Sequence, residues 1–98
     1  MGGTTFSCTA EGTTVKEAYD AAVEQAYYDF GHAGYTGTIA ECSGYTVCST
    51  EPMAQEAAEK LGWELIDKDD PRISDKWGPA GAIPLDDGSW YFFGWASC

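Results

Sequence analysis

Phe6, Cys8 and Ala10 alternate with Ser7 and Thr9, a period of two that predicts a half-buried strand over residues 4–10. Gly12 breaks the alternation. Thr14 and Glu17 then stand at capping-box spacing, the Thr14 hydroxyl placed to accept from the Glu17 amide and the Glu17 carboxylate to reach back to the Thr14 amide. From there Val15, Ala18, Tyr19, Ala22, Val23, Ala26 and Phe30 recur at helical spacing, so a helix is predicted over residues 14–30. Glu17, Asp20 and Glu24 fall on its opposite face, with Tyr27 and Tyr28 beside them near the end. Gly31 or Gly34 suits a left-handed C-cap.

A short strand is predicted at residues 45–48, followed by a second helix capped by Ser49 or Thr50 with Pro52 in its first turn. Met53, Ala54, Ala57, Ala58 and Leu61 form its apolar side. Gly62 is expected to end it and Trp63 to fold back over the cap, with a brief strand at residues 63–66. Residues 67–81 are rich in Asp, Pro and Gly and read as irregular. Residues 82–85 and 89–96 form a hairpin about Asp86-Asp87-Gly88. Pro84 lacks a ladder donor, which predicts an edge strand. Residues 90–95, Trp-Tyr-Phe-Phe-Gly-Trp, are apolar on both sides, which predicts a central strand covered on both faces at least in part.

These elements specify one α+β domain over residues 1–98: a mostly antiparallel sheet of three to five strands with two helices on one face, in the order β-α-β-α-(β)-β-β. In that arrangement the other sheet face stays open, and the aromatic strand is where a homo-oligomer would form.

Charge narrows the function more than motifs do. Sixteen Asp and Glu against five Lys and Arg leave a net charge of −11. Residues 17–59 contain no Lys or Arg and eight carboxylates: Glu17, Asp20, Glu24, Asp29, Glu41, Glu51, Glu56 and Glu59. Phosphate backbones need cationic groups to replace their counterions, so direct nucleic-acid binding is not expected, nor is adhesion to an anionic membrane. The attracted partner is a basic surface of a larger protein, such as a nucleic-acid-binding site. Glu17, Asp20, Glu24, Tyr27, Tyr28, Glu56 and Glu59 would form the contact if the two helices are neighbours. Carboxylates along a rigid helix imitate a run of phosphates, and Tyr adds contact energy at low entropic cost. An acidic surface also serves solubility alone.

The segment FGHAGYTGTIAEC, residues 30–42, offers a second reading as a small-molecule or nucleotide loop. Its polar groups are His32, Tyr35, Thr36, Thr38 and Glu41, joined by Asp29, whose carboxylate opposes the helix dipole in the last turn. It has neither the G-x-G-x-x-G pattern nor a P-loop ending. No catalytic residue is assigned. His32 has no partner selected by spacing, and Asp29-Phe30-Gly31 is a kinase triplet only by coincidence in a chain this short. Asp67, Asp69, Asp70 and Asp75 do not follow the EF-hand pattern and interleave with Lys68, Arg72 and Lys76, so neither metal nor cofactor is expected. Cys8, Cys42, Cys48 and Cys98 read as free thiols. Residues 1–10 show no secretory pattern and no apolar run spans a bilayer, which predicts a cytoplasmic protein.

GYTGTIAE at residues 34–41 and FFGWAS at residues 92–97 resemble stretches of small uncharacterised phage and mobile-element proteins. That resemblance implies no site residues. It implies a setting, inside a host cell, in which short acidic proteins act as anti-CRISPR or anti-restriction inhibitors of host defence by mimicking nucleic acid.

Overall fold

The computed structural model describes residues 3–30, 39, 44–68 and 79–97. They form β1 (Gly3–Glu11), α1 (Val15–Phe30), β2 (Tyr45–Val47), α2 (Gln55–Asp67), β3 (Ala80–Pro84) and β4 (Ser89–Ser97). The α+β class and the order of elements are as predicted, without the optional strand. The four strands make one sheet in the order β1-β4-β3-β2. β1 with β4 and β4 with β3 are antiparallel, and β3 with β2 is parallel.

The helices do not share a face. β1, β2 and β3 all run the same way, opposite to β4, so β1-α1-β2 and β2-α2-β3 are both crossover connections. The first steps from one edge of the sheet to the other, and the second steps back by one strand. Right-handed crossovers taken in opposite directions place their helices on opposite faces. The packing agrees. Ala18, Ala22 and Ala26 of α1 lie in one cluster with Ala80, Ala82 and Phe92. Ala58 and Ile66 of α2 lie in another with Ile83, Leu85, Tyr91 and Phe93. Alternate residues of β4 thus feed two cores, as the doubly apolar sequence of residues 90–95 implies. Of the aromatic residues of β4, Tyr91, Phe92 and Phe93 are buried and Trp90 and Trp95 half-buried.

α1 begins as the spacing predicts, with a shift of one residue in the cap. The Glu17 amide donates to Thr14 Oγ1 at 3.2 Å, but the Glu17 carboxylate accepts from the Thr13 amide at 3.1 Å and from the Thr13 hydroxyl. These bonds, the Thr13 hydroxyl first, hold the Glu17 carboxyl below its ordinary value. Gly12 permits the turn from β1 into the helix, since an added Cβ would stand 2.5 Å from the Ala18 nitrogen.

α2 departs from expectation at both ends. Met53 forms a β-bridge with Leu85, its amide donating to the Pro84 carbonyl at 3.1 Å and its carbonyl accepting from the Asp86 amide at 2.9 Å. That pairing holds residues 52 and 53 extended along β3, so the helix starts only after Ala54, which contributes no side-chain cap. Gly62 lies inside the helix. It is a close-packing glycine: an added Cβ would meet Tyr91 Cε2 at 3.0 Å and Phe93 Cγ at 3.1 Å. Residues 63–66 are therefore helical, and Trp63 stays on the surface at 48% exposure.

Pro84 sits in an inner strand rather than an edge strand. Ala80 donates to Gly44, and Ala82 accepts from Cys48, so the even-numbered residues of β3 turn their backbone towards β2. β2 ends at Val47, and the missing donor of Pro84 falls just beyond its reach. The hairpin closes through Gly88 at φ 89°, with the Gly88 amide donating to the Leu85 carbonyl.

Candidate functional site

The acidic groups named from sequence divide between the two sides of the sheet. Glu17, Asp20, Glu24 and Tyr28 are exposed on α1, with Tyr27 half-buried. Glu56 and Glu59 are exposed on α2, across the sheet from them. The single acidic face expected from neighbouring helices is therefore not formed.

The groups also differ in how free they are. Glu17 is engaged as the helix cap. Asp20 is paired with Lys16 at 3.0 Å, which raises the Lys16 pKa through that hydrogen bond and charge. On α2, Lys68 pairs with Glu64 at 2.9 Å. Glu24, Glu56 and Glu59 enter no ion pair among the described residues.

Helix geometry fixes where these groups look. Tyr19 packs on Tyr45 of β2, ring centroids 5.1 Å apart, and on Phe92 at 5.9 Å. That flank of α1 therefore faces the β2 side, and the stripe Glu17-Ala21-Glu24-Tyr28, spaced by three and four residues, lies on the opposite, solvent-exposed side of the helix. α1 packs mainly on β1 and β4. Ala21, Glu24, Gln25 and Tyr28 line a shallow depression of ≈ 320 Å³ on the exposed side of α1. Tyr28 is 86% exposed.

On the other face α2 packs on β4 and β3 and leaves β1 uncovered, so that Ser7, Thr9 and Glu11 are exposed. Burial pushes the Tyr91 phenol above its ordinary value, against a hydrogen bond with Ser7, and the nearby Glu59 carboxylate pushes it further up. The Tyr91 phenol bonds Ser7 of β1, so Glu59, which acts on that phenol, lies on the β1 side of α2. Glu56 and Trp63, three residues before and four after it, share that flank. Lys60, four residues after Glu56 and three before Trp63, borders the same flank, and Lys68 falls on the other side of the helix. Both helices thus carry exposed carboxylates and an exposed aromatic ring, with Lys60 beside those of α2.

An open cleft of ≈ 720 Å³ lies at the ends of β1 and β3, lined by Glu11, Pro52, Pro84, Leu85, Asp87 and Trp90 among others. Sequence reading missed it, because its walls come from four separate segments. Its Asp87 carboxylate is occupied by the Ser89 hydroxyl and by the Ser89 amide at 3.0 Å, which hold it below the ordinary carboxylate range. The ligand-loop residues His32, Tyr35, Thr36, Thr38 and Glu41 and the side chain of Asp29 lie outside the described residues, as do Cys42 and Cys98 and residues 69–78 of the Asp-rich segment.

No group of three or more His, Cys, Asp and Glu able to hold a metal occurs among the described residues. No described helix is long and apolar enough to cross a membrane. Cys8 is a free, half-buried thiol, and the half-buried Cys48 thiol donates to the Thr46 carbonyl at 3.5 Å. Burial pushes the Cys8 thiol up to about 11, which opposes a nucleophilic role. Iodoacetamide should alkylate Cys8 in the folded protein on the order of a hundredfold more slowly than in the unfolded chain, as read by peptide mapping. Comparable rates in the two states would show that the thiol is not desolvated. Compared with protein-family models, curated proteins and solved structures, the chain matches none.

Proposed function

We propose that this protein is an acidic interaction domain that binds a basic surface on a larger protein and occupies a site otherwise used by nucleic acid. The observation that carries this reading is the α1 stripe: Tyr28, almost fully exposed, beside Glu24, which has no ion pair among the described residues. A protein that needs only solubility gains nothing from an exposed ring at the end of an acidic row, whereas an interface does, because Tyr supplies contact area at low entropic cost. The phage-like resemblance supplies the setting, inhibition of a host defence protein. Glu17 contributes less than its position suggests, since its carboxylate already serves the helix cap.

The test is competition with duplex DNA for basic DNA-binding proteins, including defence nucleases. The wild type should displace DNA, and displacement should weaken steeply as added salt shortens electrostatic range. Glu24→Gln with Tyr28→Ala should weaken it by about tenfold or more. Equal displacement by the wild type and the double variant would overturn this assignment of the surface.

A further inference from the structure

The hydrogen bonding of the sheet shows which backbone groups of β1 are unused. The Leu85 amide donates to the Ser89 carbonyl at 2.9 Å, so odd-numbered residues of β4 turn their backbone towards β3 and even-numbered ones towards β1. In the register Phe6↔Gly94, Cys8↔Phe92 and Ala10↔Trp90, the even residues of β1 answer them. The amides and carbonyls of Gly3, Thr5, Ser7, Thr9 and Glu11 therefore point outward, where none of the described strands pairs with them.

Natural edges of this length are blunted by Lys, Pro, bulges or brevity. β1 has none of these: it is nine residues long, holds neither Lys nor Pro, and pairs with β4 in unbroken register. The opposite edge, β2, is three residues long. Exposed carboxylates stand on the helices of both faces, Glu24 on α1 and Glu56 and Glu59 on α2, with Glu59 on the β1 side.

We propose that the outer edge of β1 receives an extended, Lys- or Arg-rich segment of the partner protein as a fifth strand. Main-chain hydrogen bonds to Thr5, Ser7 and Thr9 give the attachment, and side chains alternating to either face meet carboxylates on α1 or α2. Charge selects this occupant over a second copy of the chain. A second copy at this edge would bring its own acidic flanks, and −11 more charge, against the first. The inference rests on the acidic-interaction reading and adds its geometry.

The experiment uses amide hydrogen exchange of the full chain with a synthetic peptide alternating Lys and Val. Exchange at Thr5, Ser7 and Thr9 should slow by about tenfold at saturation. The same peptide with alternate backbone nitrogens methylated keeps its charge and should give no protection. Ser7→Pro removes an outward donor without breaking the ladder to β4, and it should abolish protection while leaving the protein folded. Binding that is indifferent to N-methylation and to Ser7→Pro, but lost with Glu24→Gln and Tyr28→Ala, would overturn strand addition and leave the acidic-surface reading standing. Protection of β1 by self-association without peptide would overturn it in favour of a second copy. No binding of either peptide would overturn both readings.

Discussion

Phe92→Ala and Phe93→Ala should each cost about 3–5 kcal/mol, yet loosen different helices. Both rings are fully buried, and truncation of a buried aromatic ring loses its transfer free energy and leaves a cavity. Against a total stability of about 5–15 kcal/mol, such a loss removes a large fraction of the population margin of the folded state. Adjacent residues of one strand ordinarily have unequal burial, because one of them faces solvent. Here both sit in cores, Phe92 with α1 and Phe93 with α2. Urea denaturation should show two similar drops in midpoint. The milder variants Phe92→Leu and Phe93→Leu, which keep most of the apolar volume, separate the faces by hydrogen exchange. Phe92→Leu should speed exchange in α1 and Phe93→Leu in α2. Faster exchange of the same helix in both variants would contradict a sheet covered on both sides.

The same two residues show what was legible beforehand. Residues 90–95 announced a doubly buried strand, because an apolar run without alternation has no side to turn to water. A placement of both helices on one face contradicted that signal. Which face a helix takes depends on the order of strands in the sheet, and no local pattern carries that order. α1 was legible almost residue by residue, since its cap and apolar spacing act within one or two turns. The ends of α2 were not. Ser49 and Pro52 look like a helix start until Met53 is drawn into a bridge with Leu85, a contact over thirty residues distant in sequence. Gly62 looks like a stop because a glycine that ends a helix and a glycine that admits a ring read alike. For the site, the identity of the acidic residues was legible and their grouping was not. Glu56 and Glu59 join Glu17 and Glu24 only if the helices are neighbours, and the two helices lie on opposite faces of the sheet. That edge was itself invisible, since residues 4–10 read the same whether or not a neighbour pairs on both sides.

Gly81→Ala should destabilise the protein by about 1–3 kcal/mol, although alanine in place of glycine lowers the entropy of the unfolded chain. That entropic gain is about 0.4–1 kcal/mol and requires a site that accepts the methyl group. Gly81 does not. An added Cβ would stand 2.6 and 2.7 Å from Phe93 Cε1 and Cε2, and nearer still to Cζ. Gly81 and Phe93 face each other in register, and the far end of the ring lies over the glycine. Its escape routes are closed. Tyr91 is stacked beside it at a centroid distance of 5.7 Å, and the Gly62 backbone of α2 presses on it from above. Two glycines, one in β3 and one in α2, thus make the slot that holds a single phenyl ring, and overpacking from either side displaces the helix. Phe93→Leu removes the Cζ atom that the new methyl group meets first. The double variant should therefore be less unstable than the sum of its parts, a coupling visible in a double-mutant cycle. A urea midpoint for Gly81→Ala at or above that of the wild type would mean that the ring has room to move, and that the slot does not anchor α2 to its face of the sheet.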